Sequence, residues 1–223
     1  MAKGGEPMKM NRYVNCFIGV AIAIVLMGIG GMAQDKPSSP TETAPASFTT
    51  FKNYPDQTFD VKGYTKGMAK GGHNLLIWKD PEINLAQYSS VKLTEFGGRL
   101  LPAQKEFPYD PYIALFNSVF KSSLKVPQKD APDALLVEGA VVECNPGSRT
   151  ARYMVGFGAG KAACAVVCEV YEPGKPNPCI RIYTRDTGSM GTFGGDSVRM
   201  LNNIMSELWA RLATSLNTTI VGR

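Results

Sequence analysis

Residues 134–144, ALLVEGAVVEC, and 162–171, AACAVVCEVY, together with the alternating stretch from Cys179 to Thr184, decide the fold. The first two are short and rich in valine and small apolar residues, the third alternates, and all are near turn formers, which predicts strands. The turn Pro173-Gly174-Lys175-Pro176 separates the second from the third. A Gly/Arg-rich segment separates the first two. Three consecutive strands so closely joined predict antiparallel neighbours in one sheet.

Before these strands, Asp110-Pro111 offers an N-cap followed by proline at the first helical position. Tyr112, Ile113, Phe116, Val119, Phe120 and Leu124 then recur at helical spacing. Upstream, Tyr88 to Phe96 alternates Val91 and Leu93 with Lys92 and Thr94, and Asn74 to Trp78 is a short apolar run, which predicts two more strands. Downstream, Gly195-Asp196 opens a helix whose Val198, Leu201, Met205, Leu208 and Leu212 form one stripe. The expected fold is α+β and two-layered. It has an antiparallel-rich mixed sheet of about four to five strands, with two helices packed on one face. This domain is expected over residues 74–217, with residues 218–223 as a tail.

Residues 1–33 read as an export signal. Lys3, Lys9 and Arg12 precede an uncharged run from Tyr13 to Ala33, and Gly31-Met32-Ala33 places small residues before Gln34. The competing reading is an uncleaved membrane anchor, because that run approaches spanning length. Its Gly-rich last third, and the absence of a basic residue before Lys36, favour cleavage. Cys16 precedes the apolar centre Phe17–Met27, so it is not a lipidation site of the kind that follows one. Residues 34–73 are Pro/Ser/Thr-rich and then Gly/Lys-rich, which predicts a flexible polar tether. The expected location is the periplasm or the outer membrane, with membrane contact only through residues 13–33 if the signal is retained.

The 223 residues carry a formal charge of +5. Discounting Lys3, Lys9, Arg12 and Glu6 leaves about +3, with no basic run interleaved with aromatics, so nucleic acid is not an expected partner. A single histidine excludes multi-histidine metal sites. That residue, His73, follows Gly71-Gly72 with no recognisable nucleophile context and reads as a surface side chain.

The most distinctive segment is Glu138 to Lys161, EGAVVECNPGSRTARYMVGFGAGK. Gly156, Gly158 and Gly160 fall at period two, so one face of that stretch lacks side chains and admits a close approach. Gly-rich backbone amides with Arg149, Arg152 and Lys161 could hold an anion. The candidate binding residues are Gly147, Ser148, Arg149, Arg152, Tyr153, Gly156, Phe157, Gly158, Gly160 and Lys161. Nucleotide motifs fail. The glycine spacing is not G-x-G-x-x-G, and Lys161 is followed by alanine where a P-loop needs Ser or Thr. The alternative is a structural hairpin whose arginines are solvated or pair with Glu138 and Glu143.

Glu138-Gly139, Glu143, Pro146-Gly147-Ser148-Arg149, Arg152-Tyr153 and the run Val155 to Lys161 resemble a bacterial exported-protein family, the domain of unknown function numbered 4410. The resemblance extends over roughly residues 85–215 and implies an exported α+β domain without naming a reaction. A weaker likeness links the element order to the periplasmic domain of curli-secretion channel proteins and to the amino-terminal domain of the TolB type. Those modules serve envelope assembly by oligomerising or docking partners. Residues 146–161 are too short and too glycine-rich for membrane-spanning hairpins, so that likeness does not imply a pore.

Four cysteines lie beyond the signal: Cys144, Cys164, Cys168 and Cys179. Cys164 and Cys168 are separated by about 13 Å along one strand and cannot bridge each other. Cys179 shares parity with Arg181 and Arg185, which reads as a solvent-facing side. A Cys144–Cys164 disulfide is the best remaining pair, and buried free thiols are the alternative. No hydrolase elbow, zinc motif or paired carboxylates appear, so neither metal nor cofactor is expected. The expected function is a non-enzymatic envelope module that binds a protein partner or itself. The alternative is a binder, or weak hydrolase, of an anionic ligand or cell-wall glycan at the Gly/Arg hairpin.

Overall fold

Runs of β-branched residues, bulky enough to prefer an extended backbone, form the three long strands at the centre of the sheet. The computed structural model describes residues 49–102, 107–147, 161–188 and 197–222. Within them lie strands β1 (Ala69–Gly72), β2 (Leu75–Lys79), β3 (Val91–Leu93), β4 (Leu135–Asn145), β5 (Ala162–Tyr171) and β6 (Pro178–Gly188). The strands form one sheet in the order β1-β2-β6-β5-β4-β3. All neighbours are antiparallel except β3 and β4, which are parallel. Parallel strands need a crossover, and helix α2 (Asp110–Ser123) supplies it. The fold is α+β, as expected. Its sheet has six strands rather than four or five, because β1 pairs with β2 despite its Ala-Lys-Gly-Gly sequence.

Helix α3 (Ser197–Val221) and α2 pack on one face of the sheet. Phe116 and Phe120 of α2 meet Leu201, Met205, Leu208 and Leu212 of α3 over the valines of β4 and β5. Four members of the expected α3 stripe are fully buried, whereas Val198 stays 43% exposed at the first turn. The helix runs past residue 217, and Ile220 joins the core, so residues 218–221 are helical rather than a tail.

The other face is covered too, by part of the segment expected to be a tether; residues 34–48 of that segment lie outside the described residues. Residues 49–68 cross it as a strap, with a 3₁₀ turn at Phe51–Asn53 and a short helix α1 (Val61–Thr65). Phe51 and Tyr64 are buried against Ala140, Ala165, Val167 and Tyr183. Its anchors are scattered aromatics in a polar segment, which leave no periodic signature. Arg99 fastens the strap by donating to the carbonyls of Tyr54 (2.7 Å), Phe51 (3.0 Å) and Lys52 (3.0 Å). Because both faces are covered, every residue of β5 is buried.

Candidate functional site

The Gly/Arg segment springs from the ends of β4 and β5. Of its ten candidate residues, Gly147 and Lys161 are described; Ser148, Arg149, Arg152, Tyr153, Gly156, Phe157, Gly158 and Gly160 lie outside the described residues. Gly147 has φ 78°, a conformation that costs glycine little, and its amide donates to Asn145 Oδ1 at 2.8 Å. Lys161 is exposed just before β5. The two glutamates near the hairpin have cationic partners on other elements. Arg185 of β6 makes a two-pronged pair with Glu143 (2.7 and 3.0 Å), and Lys52 of the strap pairs with Glu138.

Cys144 and Cys164 face each other across β4 and β5. All four described cysteines are buried free thiols. The hydrogen bond with Cys144, and then burial, push the Cys164 thiol well up. Burial raises Cys168 likewise and takes Cys179 to about 11. Thiols so raised are poor nucleophiles in the folded domain. Cys179 does not face solvent as its parity with Arg181 suggested. The ladder slips between Val170 and Tyr171, which turns Cys179 into the helix-side core. Arg181 is itself buried, at 1% exposure, on the strap side.

That arginine belongs to a buried polar cluster between strap and sheet. Glu169 accepts from the Phe51 amide (3.0 Å) and the Tyr171 hydroxyl (2.5 Å), and Arg181 lies 3.8 Å away. Arg181 donates to the Tyr64 carbonyl (2.9 Å) and the Thr49 carbonyl (3.3 Å) and sits over the Tyr64 ring. The contacts to the Phe51 amide and to the Tyr64 and Thr49 carbonyls tie the strap to the sheet. His73 is exposed, as expected. Among the described residues no group of three or more His, Cys, Asp or Glu side chains is placed to hold a metal ion.

The sheet's two edges differ. β1 is four residues long, bulged between Lys70 and Gly72, and carries a lysine, all devices that discourage strand addition. β3 is partly covered: the Val91 amide donates to Pro127 O, and its carbonyl accepts from Lys129 N–H, both at 2.9 Å. Backbone direction alternates along a strand, so Leu93 turns its amide and carbonyl the same way. The 127–129 segment has by then departed, and Leu93 opens into a groove of about 580 Å³ walled by Asn117, Ser118 and Lys121 of α2 and by Gln128–Asp130. No sequence signal marks this groove, which arises where a loop leaves an edge strand.

Residues 116–215 match the family described as "Domain of unknown function (DUF4410)". Over that stretch the chain is similar to the DUF4410 family. This is the family that the Glu138–Lys161 motifs resemble, and the match begins within α2 and runs through β4, β5 and β6 into α3. The strap and strands β1, β2 and β3 lie outside the matched DUF4410 region. Among solved structures, the PelC dodecamer from Paraburkholderia phytofirmans is 12% identical over 61% of this chain and 96% of that one, with a TM-score of 0.37. A minor lipoprotein from Acinetobacter baumannii is 12% identical over 59% of this chain and 94% of that one, with a TM-score of 0.33. Superpositions this loose carry no inference about the role of this chain. No curated protein matches it.

Proposed function

We propose that the chain is an exported cell-envelope protein whose DUF4410-like domain is a non-enzymatic interaction module that docks an extended segment of a protein partner, or of a second copy, on the β3 edge. The export-signal anatomy of residues 1–33 supports the location. One observation carries the docking: Leu93 presents an amide and a carbonyl to a groove at the edge of an otherwise well-covered sheet. Strand addition takes its affinity from such backbone groups and its selectivity from flanking side chains. Lys92, Lys121, Lys129, Glu95 and Asp130 flank this site with both signs of charge.

A photo-crosslinking residue at Lys92, expressed in the native envelope, is expected to give a discrete adduct with a partner or a second copy. The same residue at Lys70, on the blunted β1 edge, is expected to give none. Leu93→Pro removes only an outward-facing N–H, so it is expected to abolish the adduct formed through Lys92 while costing about 1 kcal/mol in packing, read by thermal melting. A chain that sediments as a monomer at all concentrations and yields no adduct at Lys92 overturns the proposal.

A further inference from the structure

The opposition of Cys144 and Cys164 can be classified from the ladder around it. β4 turns the backbone of Leu135 and Val137 toward β3, since Leu135 N–H donates to Ser90 O and Val137 O accepts from Thr94 N–H. The alternate residues Leu136, Glu138 and Ala140 therefore bond β5, opposite Tyr171, Glu169 and Val167. Continuing in steps of two, Ala165 and Ala163 also turn toward β4, and Cys164 turns its backbone toward β6. The bulge between Val141 and Glu143 brings Cys144 into register opposite it. Cys144–Cys164 is thus a non-hydrogen-bonded pair, the kind whose Cα atoms lie about 4.5 Å apart with side chains closest. That spacing falls within the range disulfides occupy, about 4.4 to 6.8 Å. Both side chains enter the helix-side core, and their thiols are hydrogen-bonded to each other. The other two cysteines have different neighbours: Cys168 stands opposite Gly139 and Ile182, and the Cys179 thiol donates to Val170 O at 3.3 Å.

We propose that Cys144 and Cys164 are an oxidisable pair that closes the β4–β5 hairpin as a disulfide, formed during folding by exchange with a disulfide-bearing oxidant. One cysteine loses its proton and attacks the oxidant's disulfide, forming a mixed disulfide and expelling a thiolate. The second cysteine, also deprotonated, displaces the remaining oxidant sulfur and completes the Cys144–Cys164 bond. The chain gives up two protons and two electrons, and the oxidant leaves as two thiols. Timing follows from burial. Exposures of 3% and 0% keep an oxidant out of the folded domain, so exchange precedes closure of the helix-side core. The bond would tie together the ends of the segment bearing Arg149, Arg152 and Lys161, so that their separation no longer depends on strand pairing. In the cell this chemistry rests on the export reading, because it needs an oxidising compartment. In vitro it does not.

The test refolds the reduced, denatured full chain in a mixture of oxidised and reduced glutathione, then alkylates it and maps its tryptic peptides without reduction. Peptide 130–149 is expected to be joined to peptide 162–181. Cys164→Ala is expected to remove the join, while Cys168→Ala and Cys179→Ala keep it. The oxidised chain is expected to unfold at higher denaturant than the reduced one. Glutathione added after folding is expected to leave the pair unreacted, and equal reaction of the folded chain overturns the proposed timing. Full alkylation of Cys144 after oxidative refolding, or its linkage to any other cysteine, overturns the pair itself. A pair that links in vitro but is recovered as thiols from the native cell stands, and counts instead against export.

Discussion

At the scale of single residues, the most consequential pair is Glu169 and Arg181, charged side chains buried on neighbouring strands. Removing one member strands the other. Arg181→Met leaves the Glu169 carboxyl in a dry site with the Tyr171 hydroxyl and Phe51 amide as remaining donors. It is expected to cost about 3–5 kcal/mol in chemical denaturation. Burial pushes the Glu169 carboxyl above its ordinary 4.5, although Tyr171, Phe51 and Arg181 pull the other way. A folded state that holds this proton more tightly than the unfolded chain gains stability from it below pH 4.5. The gain is lost as pH rises through the raised folded value. Glu169→Gln is therefore expected to lose less stability than the parent between pH 4.5 and neutrality, measured by denaturant titration at stepped pH. Asp186 has the opposite sign. Burial raises it, but the Arg211 guanidinium (2.8 Å) and the Thr187 amide outweigh burial and hold it below 3.8. Its contribution is present above 3.8 and lost in acid. Parity along β6 assigned Arg181 to solvent because it counts only the strand's own alternation, and nothing in that count reveals a strap arriving from residues 49–68.

Among the elements, β4 shows how a sequence motif acquires a physical reason. Gly139, beside Glu138 in the motif shared with DUF4410, lies under the Phe96 ring, which in turn packs on Phe116 and Phe120. A Cβ there would enter the Phe96 ring and come within 2.5 Å of the Val167 carbonyl of the neighbouring strand. The ring can shift, but the ladder backbone cannot. Gly139→Ala is expected to cost about 1–3 kcal/mol by thermal melting. Strands β4, β5 and β6 and both long helices were legible because their apolar residues recur over many positions. The exposed Ala69–Gly72 strand has no such pattern and exists only because β2 offers it an edge. At the candidate site, the facing of Cys144 and Cys164 could be anticipated, but the bulge that puts them in register could not. The β3 groove depends on where the 127–129 segment departs, which only tertiary structure fixes.

For the whole molecule, the strap sets the boundary of what can fold. A chain starting at residue 74 lacks Phe51 and Tyr64, baring Val167 and Tyr183, and deprives Arg181 of two carbonyl acceptors. It is expected to elute as aggregate in size-exclusion chromatography and to lack a cooperative melt. A chain starting at Thr49 is expected to give a single melting transition.

On the proposed export reading, the strap also bears on the order of events at a membrane. A chain threaded amino terminus first delivers Phe51 and Thr49 early, yet their partners Glu169 and Arg181 follow 118 and 132 residues later. The first part of the domain to cross must wait, unpaired, for nearly the last strand to arrive. Contacts between such distant positions form slowly, and a polypeptide that cannot close its sheet prematurely stays extended while it passes through a narrow translocation channel.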